Sequence, residues 1–137
     1  MRIRITQERR RREAFTLMEV LVVAALIVIL AGVGGYYLMG AWEKGKINTA
    51  QAQVRELTKA AETYKLNNGD FPPTLDVLLQ TDSQGNPPIL KSADALKTPW
   101  GKAYGYDANG PKNNHLQPDI WADPPNGQPI GNWPSGR

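Results

Sequence analysis

No cysteine occurs among the 137 residues, so neither a disulfide framework nor a thiolate metal site is possible. Histidine occurs once, as His115 in the polar stretch Lys112-Asn113-Asn114-His115. A lone imidazole in such a stretch is far more often solvated than catalytic. The sequence holds no HExxH pair, no glycine-rich phosphate loop and no serine in a nucleophile-elbow pattern. Asp119 and Asp123 are the carboxylates to weigh for glycoside hydrolysis, but no pattern shapes a cleft around them. No enzyme is expected. The length leaves room for one small domain.

Positive charge is equally scarce where a nucleic-acid surface would need it. Residues 1–14 carry six arginines (Arg2, Arg4, Arg9, Arg10, Arg11, Arg12) against Glu8 and Glu13. Of sixteen basic and thirteen acidic residues in the chain, ten and eleven therefore remain, a net charge near −1 beyond residue 14. No basic stripe persists there, and no nucleic-acid partner is expected.

What the sequence does have is one long apolar run. From Val20 to Met39 twenty residues pass without a charge. As a helix they span about 30 Å, the thickness of a bilayer's hydrocarbon core. The arginines before the run place the N-terminus on the cytoplasmic side and the rest of the chain across the membrane. A cleavable secretory peptide is the competing reading, with a cut near Ala31 or Gly32. The run is longer than such a peptide needs, however, and an acid stands at its mouth.

That acid is Glu19. A carboxylate at the centre of a membrane helix costs about 2.5–3.5 kcal/mol, and less near the interface. A simple anchor gains nothing from it, so a partner of opposite sign is expected. A cut after Ala14 would give Phe15 a free ammonium group four residues before Glu19. Glu19 of one subunit would then neutralise Phe15 of a neighbour and fix their axial register. A glutamate resting at headgroup level with no special role is the alternative.

Beyond the run, Tyr36, Tyr37 and Trp42 suit an interfacial aromatic belt. Gly32, Gly34 and Gly35 weaken the helix locally, allowing close packing or melting on assembly. Ile47, Ala50, Val54, Leu57, Ala61 and Tyr64 form an apolar stripe at helical spacing. Asn68-Gly69 and Pro72-Pro73 stop the helix. Thr74 is placed to cap a short helix over Leu75 to Gln80. Strands are expected at Lys102 to Tyr106 and Asp119 to Ala122, with a turn at Asn109-Gly110-Pro111 between them. Residues 123–137 read as loop.

Four stretches of residues carry a resemblance. Glu13-Ala14-Phe15-Thr16-Leu17-Met18-Glu19-Val20, followed by the apolar run, resembles the leader motif of type IV pilins and type II secretion pseudopilins, with Ala14 where glycine is usual. Tyr64-Lys65-Leu66-Asn67-Asn68-Gly69-Asp70-Phe71-Pro72 and Thr98-Pro99-Trp100-Gly101-Lys102-Ala103-Tyr104 resemble two internal passages of the major pseudopilins. Ile130-Gly131-Asn132-Trp133 is similar to their ending. The resemblance implies an α+β pilin-like fold: a long N-terminal helix packed on a small antiparallel sheet of two to four strands, with an irregular C-terminal loop. It implies a leader at 1–14, a transmembrane helix at 15–42 and a periplasmic domain at 43–137, with the helix continuing over 43–68. It further implies cleavage by a prepilin peptidase between Ala14 and Phe15, methylation of Phe15, and assembly through Phe15 and Glu19. The implied partners are further copies of the chain, minor pseudopilins, an inner-membrane assembly platform with its ATPase, and membrane lipid.

Major pseudopilins also bind calcium in the C-terminal loop, which the resemblance would carry over. Here Asn126 stands in an aspartate's place and the acidic insert before Ile130 is absent, so no metal or other cofactor is expected. A weak site from Asp119, Asp123 and backbone carbonyls is the lesser alternative. Prolines and the buried indoles of Trp121 and Trp133 are expected to hold the loop instead. Two other functions stay open. One is a minor type IV pilin, against which Glu19 counts, since a tip subunit has no neighbour above to pair with. The other is a membrane-anchored carbohydrate- or protein-binding module, with Trp100, Trp121 and Trp133 as an aromatic platform.

Overall fold

The computed structural model describes residues 15–134; the leader, including Ala14, lies outside the described residues. The first element is helix α1, Leu17–Asn68. The chain divides into two compact units, one ending at Gly40 and one beginning at Ala41. In the first, the side chains of the apolar run are exposed, and a window of mean hydropathy 2.7 has none of its residues buried. This stretch is long and apolar enough to cross a membrane. Gly32, Gly34 and Gly35 do not interrupt the helix. Three weak helix formers cost about 1 kcal/mol each against alanine, which cooperative propagation from both sides absorbs.

In the second unit, α1 buries Ala50, Val54, Leu57, Ala60 and Ala61. Their spacing is one helical stripe, and small residues along it let the helix lie close on what it covers. Ile47 and Tyr64, at the ends of the expected stripe, are half-buried. The helix ends where expected: Gly69 has φ +91°, and its N–H donates to the Lys65 carbonyl at 2.7 Å. Asn68 adds a side-chain bond to the Tyr64 carbonyl and another to Asp82.

Three antiparallel strands follow: β1 Gly105–Asp107, β2 Asp119–Ala122 and β3 Ile130–Gly131, in the order β1-β2-β3. Gly105 faces Trp121 across β1 and β2, and Trp121 faces Gly131 across β2 and β3. Ile120 and Ala122 are fully buried and join the α1 stripe, Leu75, Leu78 and Tyr104 in one core. The alternate positions of β2, Asp119 and Trp121, point to the other face of the sheet.

Several expectations change in detail. The short helix is a 3-10 turn, Leu75–Leu79, and Thr74 precedes it without a side-chain cap bond. Two further 3-10 turns, Ala93–Leu96 and Pro111–Asn113, stand where no element was expected. The first strand begins three residues later than Lys102 because Thr98 closes a turn there: its N–H donates to the Lys102 carbonyl and its hydroxyl accepts from the Lys102 N–H. The expected C-terminal loop contains β3. Trp121 and Trp133 are half-buried rather than buried, packed on each other with ring centroids 6.1 Å apart. Each lies over a glycine: a Cβ on Gly105 would meet the Trp121 ring at 2.1 Å, and one on Gly131 the Trp133 ring at 2.4 Å.

Candidate functional site

At the start of α1 the sequence Thr16-Leu17-Met18-Glu19 forms one half of a capping box. The Thr16 hydroxyl accepts from the Glu19 N–H at 3.2 Å, and the Thr16 carbonyl accepts from Glu19 and Val20 N–H groups at 3.1 and 3.3 Å. Glu19 therefore lies in the first turn, where uncompensated N–H groups favour an anion by about 0.3–1 kcal/mol. Thr16 is the partner that the charge of Glu19 alone does not reveal, although the T-x-x-E spacing signals it.

Phe15 is 80% exposed and Glu19 is exposed four residues on. The two share a shallow groove of about 300 Å³ with Val20, Val23, Ala24 and Ile27. Phe15 and Glu19 thus stand on one face, with apolar side chains continuing below them. A subunit packed there would meet an aromatic ring, a carboxylate and an aliphatic strip in that order.

The second unit places the remaining candidates. Trp100 is half-buried against the core, and its indole N–H donates to Glu43 at 2.9 Å. Tyr104 donates its hydroxyl to Gln53, and Tyr106 donates to the Pro72 carbonyl. Burial pushes the Tyr104 phenol up to about 12. Burial does the same to Tyr106, also up to about 12, with the Asp107 charge adding to it. Trp121 and Trp133 pack on each other, whereas Trp100 packs against the core and ties its loop to α1 through Glu43. Asp82 organises the 82–86 turn, accepting from the Asn86 side chain and N–H, the Gln84 N–H and Asn68. The Asn86 side-chain bond is the main cause holding its carboxyl below the usual value.

His115 is exposed, with φ +60° and its Nδ1 2.7 Å from the Asn109 carbonyl oxygen. It serves the 109–115 loop. Asp119 and Asp123, the carboxylates weighed for hydrolysis, stand in different surroundings. Asp119 is 2% exposed behind the Pro111–Asn113 turn, whereas Asp123 is exposed and accepts from the Trp121 indole at 3.1 Å.

The motif ending in Ile130-Gly131-Asn132-Trp133 converges with these residues. Asn132 is bonded to β2, to the Pro111–Asn113 turn and to Thr58 of α1. Of the two internal passages of the resemblance, Tyr64 to Pro72 ties the end of α1 to Asp82 through Asn68, and Thr98 to Tyr104 closes onto α1 through Trp100 with Glu43. The model of the type II secretion system protein G family matches residues 37–133, which include all of these contacts. The chain belongs to that family.

A second model, the prokaryotic N-terminal methylation motif, matches residues 9–35, which include Phe15 and Glu19. The chain is 32% identical to the type II secretion system core protein G of Pseudomonas aeruginosa, over 92% of this chain and 98% of that one. It is 30% identical to the core protein G of Dickeya chrysanthemi, over 93% and 90%. With that of Vibrio cholerae it shares 31% identity over 90% and 93%. The pilin-like α+β architecture accords with this membership: one long helix, apolar in its first half, packed through its second half on a three-stranded sheet.

Proposed function

We propose that this chain is a structural subunit of a pseudopilus, the filament of a type II secretion system, and that it has no catalytic role. The observation that carries the reading is the N-terminal end of α1: an exposed Phe15, two residues before the helix, and an exposed Glu19 in its first turn line one groove at the head of an uncovered apolar helix. In lipid that helix is an anchor. Packed beside copies of itself, it supplies the filament's interior, with apolar side chains removed from both lipid and water.

The chemistry begins with the cut between Ala14 and Phe15 by a prepilin peptidase. In the uncut chain the Phe15 nitrogen is an amide and cannot neutralise anything. After cleavage it is an ammonium, and methylation leaves its charge in place. Glu19 of an adjacent subunit pairs with it, so each added subunit satisfies one buried carboxylate and one buried amine. Misaligned stacking leaves both charges unpaired in an apolar surround, which costs several kcal/mol and selects the correct register. The N-terminus faces the cytoplasm and the second unit the periplasm. Minor pseudopilins and an inner-membrane platform with its ATPase start and drive the assembly. Growth of the filament pushes exported proteins across the outer membrane.

The Glu19→Ala variant tests this. It is expected to insert in the membrane and to be cleaved normally, yet to yield no filaments by electron microscopy. Filaments at the native yield would overturn the register chemistry.

A further inference from the structure

The family resemblance implies calcium in the C-terminal loop, and the donor set here does not fit one. Calcium takes six to eight oxygens, several of them anionic. Among the described residues no three histidine, cysteine, aspartate or glutamate side chains cluster in a way that could hold a metal ion. Asp119 and Asp123 do not share partners: Asp119 is 2% exposed and bonded to the Pro111–Asn113 turn, whereas Asp123 is exposed and bonded to the Trp121 indole.

The oxygens that remain face hydrogen-bond donors. Asp119 Oδ2 accepts from the Lys112 N–H at 2.9 Å, and Oδ1 accepts from Asn113 Nδ2 at 2.9 Å. Asn132 Oδ1 accepts from the Ile120 N–H at 3.0 Å and from Asn113 Nδ2 at 2.9 Å. Asn132 Nδ2 donates to the Pro118 carbonyl at 2.9 Å and to Thr58 Oγ1 at 3.2 Å. The Asn132 N–H donates to the Ile120 carbonyl at 3.0 Å. Gln117 Nε2 donates to Asn113 Oδ1 at 3.2 Å. No buried side-chain nitrogen or oxygen among the described residues lacks a partner. The Lys112 ammonium lies 3.9 Å from the centroid of the Trp133 ring and 5.8 Å from that of Trp121. A positive charge thus already occupies this corner, supported by the electron-rich ring faces.

We infer that the C-terminal segment of this chain is closed by an internal amide–carboxylate network centred on Asn132, with Lys112 seated on the indole pair, and that this network replaces the divalent cation. One side chain performs four tasks. Asn132 fixes β3 beside β2, orients Asn113 toward Asp119, satisfies the Pro118 carbonyl, and ties all of them to α1 through Thr58. The Pro111–Asn113 turn then lies over Asp119 and excludes water from a carboxylate whose partners are N–H groups. The domain keeps its fold in the absence of calcium. This does not depend on the filament reading, since it concerns the domain of a single subunit.

The test uses the full chain in detergent micelles, with unfolding followed by tryptophan fluorescence. A site held saturated at a hundredfold its dissociation constant raises Tm by about 10 °C or more in a domain of this size. The expected result is the same midpoint, within about 1 °C, in excess calcium chloride and in excess EGTA. Asn132→Ala is expected to lower the midpoint by about 10 °C, equally in both buffers. A midpoint of the native chain that falls by about 5 °C or more in EGTA overturns the replacement of the cation, whatever the variant does. An Asn132→Ala midpoint within about 2 °C of native overturns Asn132 as the centre of the network.

Discussion

Adding one methyl group at Gly110 is expected to unfold the corner that holds Asp119. Gly110 has φ +55°, and a Cβ built on it would lie 1.7 Å from the Gln117 carbonyl oxygen and 2.8 Å from the Gln117 carbonyl carbon. Both are backbone atoms of the segment that enters β2, so no rotamer change relieves the overlap. Two contributions follow for Gly110→Ala. The left-handed conformation costs an L-residue about 1–2 kcal/mol. Displacing residues 117–118 also breaks bonds across the corner. The Gly110 carbonyl accepts from the Asn113 and His115 N–H groups, and Asp119 accepts from Lys112 and Asn113. Loss of two of these adds about 2 kcal/mol. The total, about 3–4 kcal/mol, corresponds to a fall in Tm of at least about 12 °C. Gly85→Ala is the control: Gly85 has φ +84°, yet a Cβ there meets nothing within 4 Å, so only the conformational cost of about 1–2 kcal/mol applies. Thermal unfolding of both variants separates the contributions. If Gly110→Ala loses no more than Gly85→Ala, close approach of the two backbone segments is not what makes Gly110 necessary.

Leu57 is 1% exposed at the middle of the α1 stripe. Leu57→Ala is expected to cost about 2–5 kcal/mol through lost transfer energy and a residual cavity, measured by denaturant unfolding of the detergent-solubilised chain. The two tyrosines give a test in alkali. Their phenols ionise at about 12 when folded, against 10 when unfolded, so the folded state resists losing these protons. Their contribution is complete below pH 10 and is lost as pH rises toward 12. Stability falling across that window, with phenolate absorbance rising only as the chain unfolds, is the expected outcome. Tyr104→Phe and Tyr106→Phe together should flatten the fall.

Much of this was legible from local pattern. The α1 stripe, the Asn68-Gly69 stop and β2 all follow from periodicity or from a single conformational requirement. Strand β3 was not legible, because two residues, Ile130 and Gly131, show no alternation and gain their register only from Trp121 and Ala122. The start of β1 depends on a turn closed by the Thr98 hydroxyl, which propensity does not foresee. At the N-terminus, Phe15 and Glu19 stand out because a charge beside an apolar run is costly, and Thr16 is readable once the capping spacing is considered. The Asn132 network stayed hidden for the opposite reason. Its partners come from positions 58, 113, 118 and 120, which only the fold brings together.

Assembly through a carboxylate neutralised by a neighbour's new amine requires the mature chain to begin at Phe15. The mass of the N-terminal peptide of the native protein, extracted from membranes, tests this most directly. A peptide beginning with N-methylated Phe15 and retaining Glu19 is the expected result. A terminus inside the run from Val20 to Met39, with Glu19 removed, would contradict it.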